Sequence, residues 1–256
     1  LYAFLKAAKE SSISKIAIHA FTDGRDVGPR SAATYLRELE DVIDDIGIGF
    51  IATASGRFYA MDRDNNWDRV GKVESALFRN EGVRSYQNRR ASEVMEELYA
   101  EGIVDEHLEP VVFLDEEGKG YQIDENDGVF FFNFRSDRAR ELSAKTVEYA
   151  QEKNICFVTL TEYDPSIQAL VAFPQIRPKT TLAEQVSLAG LTQAHIAETE
   201  KYAHATYFLN GGRELPFPGE EQVIIESRKD VATHDLAPEM RAREIADKAI
   251  EYLDKG

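Results

Sequence analysis

Lys15-Ile-Ala-Ile-His-Ala-Phe21-Thr-Asp23-Gly24-Arg25-Asp26-Val-Gly28-Pro29 decides the fold when it is read with the residues that follow. Lys15 to Phe21 is a short β-rich run, and the Gly- and Pro-containing loop to Pro29 ends it. From Ser31 the apolar residues Tyr35, Leu36, Leu39, Val42, Ile43 and Ile46 keep the spacing of one buried helix face, and Gly47 is the predicted stop. Ile48 to Thr53 then reads as a buried strand, broken by Ser55-Gly56. The alternation continues with a helix through Val94, Met95, Leu98 and Tyr99, ended by Gly102. Val111–Leu114 and Val129–Phe134 read as strands around a polar, turn-rich segment, Arg138–Ala150 as a helix, and Asn154–Leu160 as a strand. This order predicts an α/β fold, a mainly parallel sheet with helices on both faces. Ligands of such sheets gather beyond the carboxyl ends of the strands. Arg25, Arg57 and Arg135 each follow a predicted strand within a few residues.

Phe173-Pro-Gln-Ile-Arg-Pro178 breaks the pattern and reads as a linker. Beyond it the sequence predicts helices from about Thr181 and Gln193, a strand at Ala205–Leu209, a turn at Asn210-Gly211-Gly212 and a strand at Gln222–Ile225. A last helix is expected to bury Met240, Ile245, Ala246, Ala249, Ile250 and Leu253 and to end near Asp254-Lys255-Gly256. This second part is small to stand alone and is expected to pack onto further structure. The chain opens at Leu1 inside a helix-like stretch reaching Lys9, as expected of a piece of a larger protein.

Composition narrows the function. The 256 residues carry 30 Lys+Arg against 46 Asp+Glu, a net charge of −16, which argues against a general nucleic-acid-binding surface. The single cysteine, Cys156, excludes a disulfide framework and, in the apolar run Ile155–Val158, reads as a buried structural thiol. No apolar run approaches the roughly 20 residues of a membrane span, and no signal peptide opens the chain, so a cytoplasmic protein is expected. His19, His107, His195, His204 and His234 have no metal-ligand spacing and read as surface or capping residues. Nucleotide loops and a nucleophile elbow are absent.

Arginines set in short Gly- and Asp-containing loops are the main chemical signal. Guanidinium grips carboxylate or phosphate with two parallel bonds, which lysine cannot do. In Asp23–Pro29 the alternatives are an Arg–Asp pair tying down a turn and a site in which Asp26, ionised beside arginine, exchanges a hydroxyl proton. Ser55-Gly56-Arg57-Phe58-Tyr59-Ala60-Met61-Asp62-Arg63 needs a loop for its two arginines to converge; solvated arginines, or a surface charge network with Asp64, Asp68 and Arg69, are the alternatives. Phe130-Phe131-Phe132-Asn133-Phe134-Arg135-Ser136-Asp137-Arg138 runs an aromatic strand into Arg-x-x-Arg at a predicted helix start, which favours a phosphate over salt bridges to neighbouring acids.

These three motifs, followed in order by Ala197-Glu198-Thr199-Glu200-Lys201-Tyr202, resemble the cofactor-independent (2,3-bisphosphoglycerate-independent) phosphoglycerate mutases of the alkaline phosphatase superfamily, over essentially the whole chain. The resemblance implies a glycolytic isomerase that interconverts 3-phosphoglycerate and 2-phosphoglycerate through a phosphoserine, with two Mn²⁺ or similar ions and no 2,3-bisphosphoglycerate. It implies that Arg25, Asp26, Arg57 and Arg63 hold the glycerate carboxylate and hydroxyls, with Asp26 an acid/base group. Arg135 and Arg138 would grip the phosphoryl group, and Lys201 would reach into the phosphatase site. Ser136 stands where the family more often has proline.

The resemblance also implies a division of the chain into a substrate-binding (transferase) domain over 1–176 and a partial alkaline-phosphatase-like segment over 177–256, in a monomer. No segment matches the family's nucleophilic serine, its assisting histidine or its Asp/His metal cluster, so this chain alone is expected to bind phosphoglycerate weakly and not to turn it over. The rival readings are a related phosphopentomutase or phosphatase and a non-catalytic anion-binding module. A pentose phosphate has no carboxylate for Arg25, Arg57 and Arg63 to hold, which argues against the first.

Overall fold

The structure, a computed structural model, describes residues 1–11, 13–174, 176, 178–231 and 236–255. Two compact units, 1–175 and 176–256, are described separately. His234 lies outside the described residues, as does Gly256 at the expected helix end.

In the first unit the order is α1 (Tyr2–Glu10), β1 (Ala17–Thr22), α2 (Ala32–Ile46), β2 (Phe50–Gly56), α3 (Arg57–Ala60), α4 (Trp67–Arg79), β3 (Arg84–Gln87), α5 (Ala91–Ala100), β4 (Val111–Leu114), β5 (Gly128–Phe131), α6 (Arg140–Lys153), β6 (Cys156–Thr159) and β7 (Leu170–Val171). Two sheets result, ordered β1-β2-β4-β3 and β5-β6-β7. β2 and β4 run antiparallel, and the other strand pairs of these sheets are parallel. One core joins the first sheet to α1, α2 and α5 through Leu5, Leu36, Ile51, Met95, Leu98 and Phe113. A second joins α4, α6 and the other sheet through Val73, Phe78, Phe131, Leu142, Phe157 and Tyr163.

Helix ends follow local chemistry. Gly47 closes α2 at φ 74, with its N–H donating to Ile43 O at 2.8 Å. Asn80 and Asn154 close α4 and α6 in the same left-handed region.

Several expectations are corrected. Tyr35 is 54% exposed rather than part of the buried α2 face, because it borders a cavity. β2 runs through Ser55-Gly56 instead of ending before them, and Arg57 opens a helical turn where a loop was expected. β5 stops at Phe131, and α6 starts only at Arg140, so Arg135 and Arg138 lie in the connecting segment rather than on a helix face. Cys156 is exposed, because β6 begins there and the strand's burial starts at Phe157. α4 and β3 are elements that the sequence patterns do not predict.

The second unit contains α7 (Leu182–Leu188), β8 (Gln193–Glu198), α8 (Thr199–Ala203) continued by a π-helical turn (His204–Phe208), β9 (Glu220–Ile225) and α9 (Ala242–Asp254). β8 and β9 pair in parallel. Thr181 caps α7 by accepting the Glu184 N–H at 3.2 Å. The helix expected from Gln193 is therefore a strand, since pairing with β9 overrides its helix-favouring Gln, Ala and Glu. The strand expected at Ala205–Leu209 is helical, with the Thr206 hydroxyl donating to Tyr202 O at 2.7 Å. The expected buried face of α9 is open: Ile250 is 56% and Leu253 79% exposed, Ala246 is also exposed, and Met240 precedes the helix at φ 46.

Candidate functional site

Three strand ends of the first unit build the site. Arg25 and Asp26 lie in the loop after β1, Arg57 is the residue after β2, and Arg135 follows β5 by four positions. Parallel pairing aligns Thr22 with Gly56 in register, which sets the Asp23–Asp26 loop beside the start of α3. Two glycines then bring a third segment against both. A Cβ on Gly56 would lie 2.4 Å from Glu106 O and 2.7 Å from Asp105 O. At Gly24, whose φ of +69 itself favours glycine, a Cβ would lie 2.8 Å from Glu106 N. The 105–107 turn is thus wedged under the Arg25 loop and the first turn of α3.

The side chains interlock across long sequence separations. Asp26 Oδ2 accepts from Arg57 Nη1 at 3.2 Å and from Arg135 Nη1 at 3.1 Å. Arg57 Nη1 also donates to Asp23 Oδ1 at 2.5 Å. Arg25 Nε lies 3.3 Å from Glu106 Oε1, Arg63 Nη1 donates to Asp137 Oδ2 at 3.4 Å, and Arg138 Nη1 donates to Met61 O at 3.0 Å. Burial, and then the positive charges of Arg63, Arg57 and Arg25, hold the Arg138 pKa below the usual arginine value. Arg57 goes the other way: burial favours its neutral form, but the bonds to Asp23 and Asp26 outweigh that and raise its pKa.

Asp62 fixes the segment that carries Arg63. Its carboxylate accepts from the N–H groups of Asp64 and Asn66 at 3.0 Å each and from Arg69 Nη1 at 3.1 Å. The Asn65 N–H donates to Glu141 Oε1 at 2.9 Å, which ties the same segment to the first turn of α6.

Chemically, the arrangement is a cationic cluster whose charges are held by exchangeable partners. Apart from Arg57, whose side chain is 6% exposed, these ion pairs are substantially exposed. Exposed pairs contribute about 0–1 kcal/mol each, so an incoming carboxylate or phosphate can replace them at little cost. Arg25, Asp26, Arg57, Arg63, Arg135 and Arg138 are thus brought together by the first unit. Lys201 is exposed on α8 of the second unit. Glu106 and Asp137 join the site without a sequence signal; in a chain with 46 acidic residues, an acid at a given position carries no signal of its own. A cavity of about 1230 Å³ borders the site through Asp23 and Asp105 and is otherwise lined mainly by apolar residues of α1, β1, α2 and β5. Among the described residues no group of His, Cys, Asp and Glu is arranged to hold a metal ion.

The family model described as the BPG-independent phosphoglycerate mutase N-terminus matches residues 1–165. The chain belongs to the 2,3-bisphosphoglycerate-independent phosphoglycerate mutase family. It is 48% identical over 263 residues to the enzyme so named from Moorella thermoacetica, covering 100% of this chain and 50% of the relative. It is 45% identical to that of Thermomicrobium roseum, covering 99% of this chain and 49% of the relative. A crystal structure of Leishmania mexicana phosphoglycerate mutase at low cobalt concentration superposes with a TM-score of 0.73 at 26% identity, over 100% of this chain and 49% of that one. The chain spans about half the length of the curated relatives it matches.

Proposed function

We propose that residues 1–176 form the substrate-binding domain of a phosphoglycerate mutase, the complete enzyme interconverting 3-phosphoglycerate and 2-phosphoglycerate through a phosphoserine. The clustering of Arg25, Arg57, Arg63 and Arg138 closely enough to perturb one another, with Arg57 and Arg135 both bonded to Asp26, supports this reading most directly. A three-carbon phosphoacid carries two anionic groups and needs two cationic clamps. Arg25, Arg57 and Arg63 would hold the carboxylate and hydroxyls, and Arg135 and Arg138 the phosphoryl group. Asp26, between Arg57 and Arg135, would pass a proton to and from the glycerate hydroxyls. Positioning and charge neutralisation are the larger part of phosphoryl transfer.

Residues 177–256 would belong to the phosphatase-like part of the enzyme, with Lys201 reaching its site. The family implies two Mn²⁺ or similar ions, which in the complete enzyme would neutralise phosphoryl charge. The residues described here do not fit such a site, so no step is assigned through them. No described helix is long and apolar enough to cross a membrane. A cytoplasmic monomer acting on a small molecule is the reading that accompanies the family.

Calorimetry with 3-phosphoglycerate and ribose 5-phosphate tests the assignment. The 256-residue chain is expected to bind 3-phosphoglycerate weakly and in preference to the pentose phosphate. Arg57→Ala and Arg135→Ala are each expected to weaken binding at least tenfold, as the loss of a charge-assisted bond implies. Equal affinity for both ligands would favour the phosphopentomutase reading, and unchanged binding in both folded variants a non-catalytic module. Metal-dependent mutase turnover by these residues alone would contradict the expected division of labour.

A further inference from the structure

We propose that Asp23 is the positioning residue of this site: through one carboxylate oxygen it fixes the backbone of Arg25 and Asp26 and aims the Arg57 guanidinium. The proposal rests on the phosphoglycerate-binding reading above. Three bonds converge on Asp23 Oδ1. It accepts the Arg25 N–H at 3.0 Å, the Asp26 N–H at 3.1 Å and Arg57 Nη1 at 2.5 Å. The two backbone bonds make the side-chain-closed turn that aspartate favours, and the third extends that turn to a residue 34 positions away. A single atom thus sets three residues that would hold the substrate.

The competition at Arg57 gives the arrangement its purpose. Arg57 Nη1 lies between Asp23 at 2.5 Å and Asp26 at 3.2 Å, and the shorter bond holds it on the Asp23 side. The guanidinium is nearly buried, so without Asp23 it would rest on Asp26 alone, its other carboxylate partner. A base engaged by a buried cation is less able to take a proton from a substrate hydroxyl. Asp23 therefore holds Arg57 in place while Asp26 keeps 55% side-chain exposure. Burial alone would push the Asp23 carboxyl up, but the Asp26 amide and Arg57 outweigh it and hold it below the usual range.

Asp23→Asn separates this role from simpler ones, because the amide keeps an oxygen for the two backbone N–H groups and loses only the charge. Asp23→Ser, which also keeps a turn-forming acceptor, is the second variant. Circular dichroism checks that both stay folded, calorimetry measures 3-phosphoglycerate binding, and NMR follows the Arg57 guanidinium protons. Binding is expected to weaken about tenfold in each variant, the difference between a charge-assisted and a neutral bond. The wild-type chain is expected to show slowly exchanging Arg57 Nη–H signals, and both variants to lose them. If Asp23 acted only through its charge, removing it from an anion site would tighten binding; if it served only the turn, Asp23→Asn would bind as wild type. Either result overturns the proposal. Unchanged Arg57 signals in Asp23→Asn overturn it too, even in a chain that binds no 3-phosphoglycerate. That failure of binding, with the Arg57 signals lost on substitution, would strike the ligand assignment and leave the positioning role supported.

Discussion

His19 lies in β1 with its Nδ1 3.0 Å from Thr53 Oγ1, and burial lowers its pKa to about 4 from an ordinary 6.5. The folded state therefore prefers the neutral ring. Its contribution to stability is fully present above pH 6.5 and is lost as pH falls toward 4. At full effect the loss is about 3 kcal/mol, an upper limit because the ring also borders the cavity. Denaturant melts of wild type and His19→Gln across this window check it. The variant should lose less stability on acidification, and parallel curves would contradict the assignment. At this scale the sequence was legible where residue type carried information. Arginines in short loops after β-rich runs mark Arg25, Arg57 and Arg135, but His19 gives no sign of being enclosed, and Cys156 misleads because its apolar neighbours Ile155 and Phe157 are packed while it faces outward.

The α2 helix shows how a distant residue completes an element. Ser31 offers no side-chain cap to α2; Asp105 instead accepts the N–H groups of Ser31 and Ala32 at 2.8 and 2.9 Å, and the Tyr99 hydroxyl donates to its other oxygen. Asp105 is fully buried, so Asp105→Ala leaves two N–H groups and the Tyr99 O–H without an acceptor, while the phenol oxygen still accepts the Ala33 N–H. A loss on the order of 3 kcal/mol is expected in thermal or denaturant unfolding, with a smaller loss in Asp105→Asn, which keeps an acceptor. Equal stability of Asp105→Ala and wild type would show that water replaces the cap. No motif in the sequence links residue 105 to a helix start 74 positions earlier. The amphipathic helices α2 and α5 were legible from spacing alone, whereas α4 was hidden: Val70, Val73 and Leu77 carry a helical stripe, but Gly71 and the flanking charges obscure it. β3 has no apolar alternation at all, and its parallel pairing with β4 makes it a strand. The strand at 193–198, where a helix is expected, has the same origin, since its partner strand outweighs local propensity.

The two units differ in what holds them. Residues 1–175 contain two hydrophobic clusters with large buried side chains, among them Leu5, Met95, Leu98 and Phe113. Among the described residues of 176–256, the buried apolar side chains are Ala183, Ala197 and Ala237. Alanine methyls cannot offset the roughly 1–2 kcal/mol of backbone entropy lost per ordered residue. Expressed alone, 1–175 is expected to melt cooperatively, and 176–256 to lack a transition and dispersed amide resonances. A sharp transition in the shorter piece would show that its buried network, centred on Glu220 with Asn210 and His195, suffices. The overall α/β character was legible because alternating elements need only local patterns, whereas the antiparallel β2–β4 pair depends on chain reversal that no local pattern records. The outward-facing thiol at the start of β6 has a practical consequence. Cys156 pairs in register with Gly128, at the end of β5 opposite the one leading to Arg135. A maleimide fluorophore would attach there as a unique reporter, clear of the arginines, making ligand titrations readable by anisotropy without altering any residue.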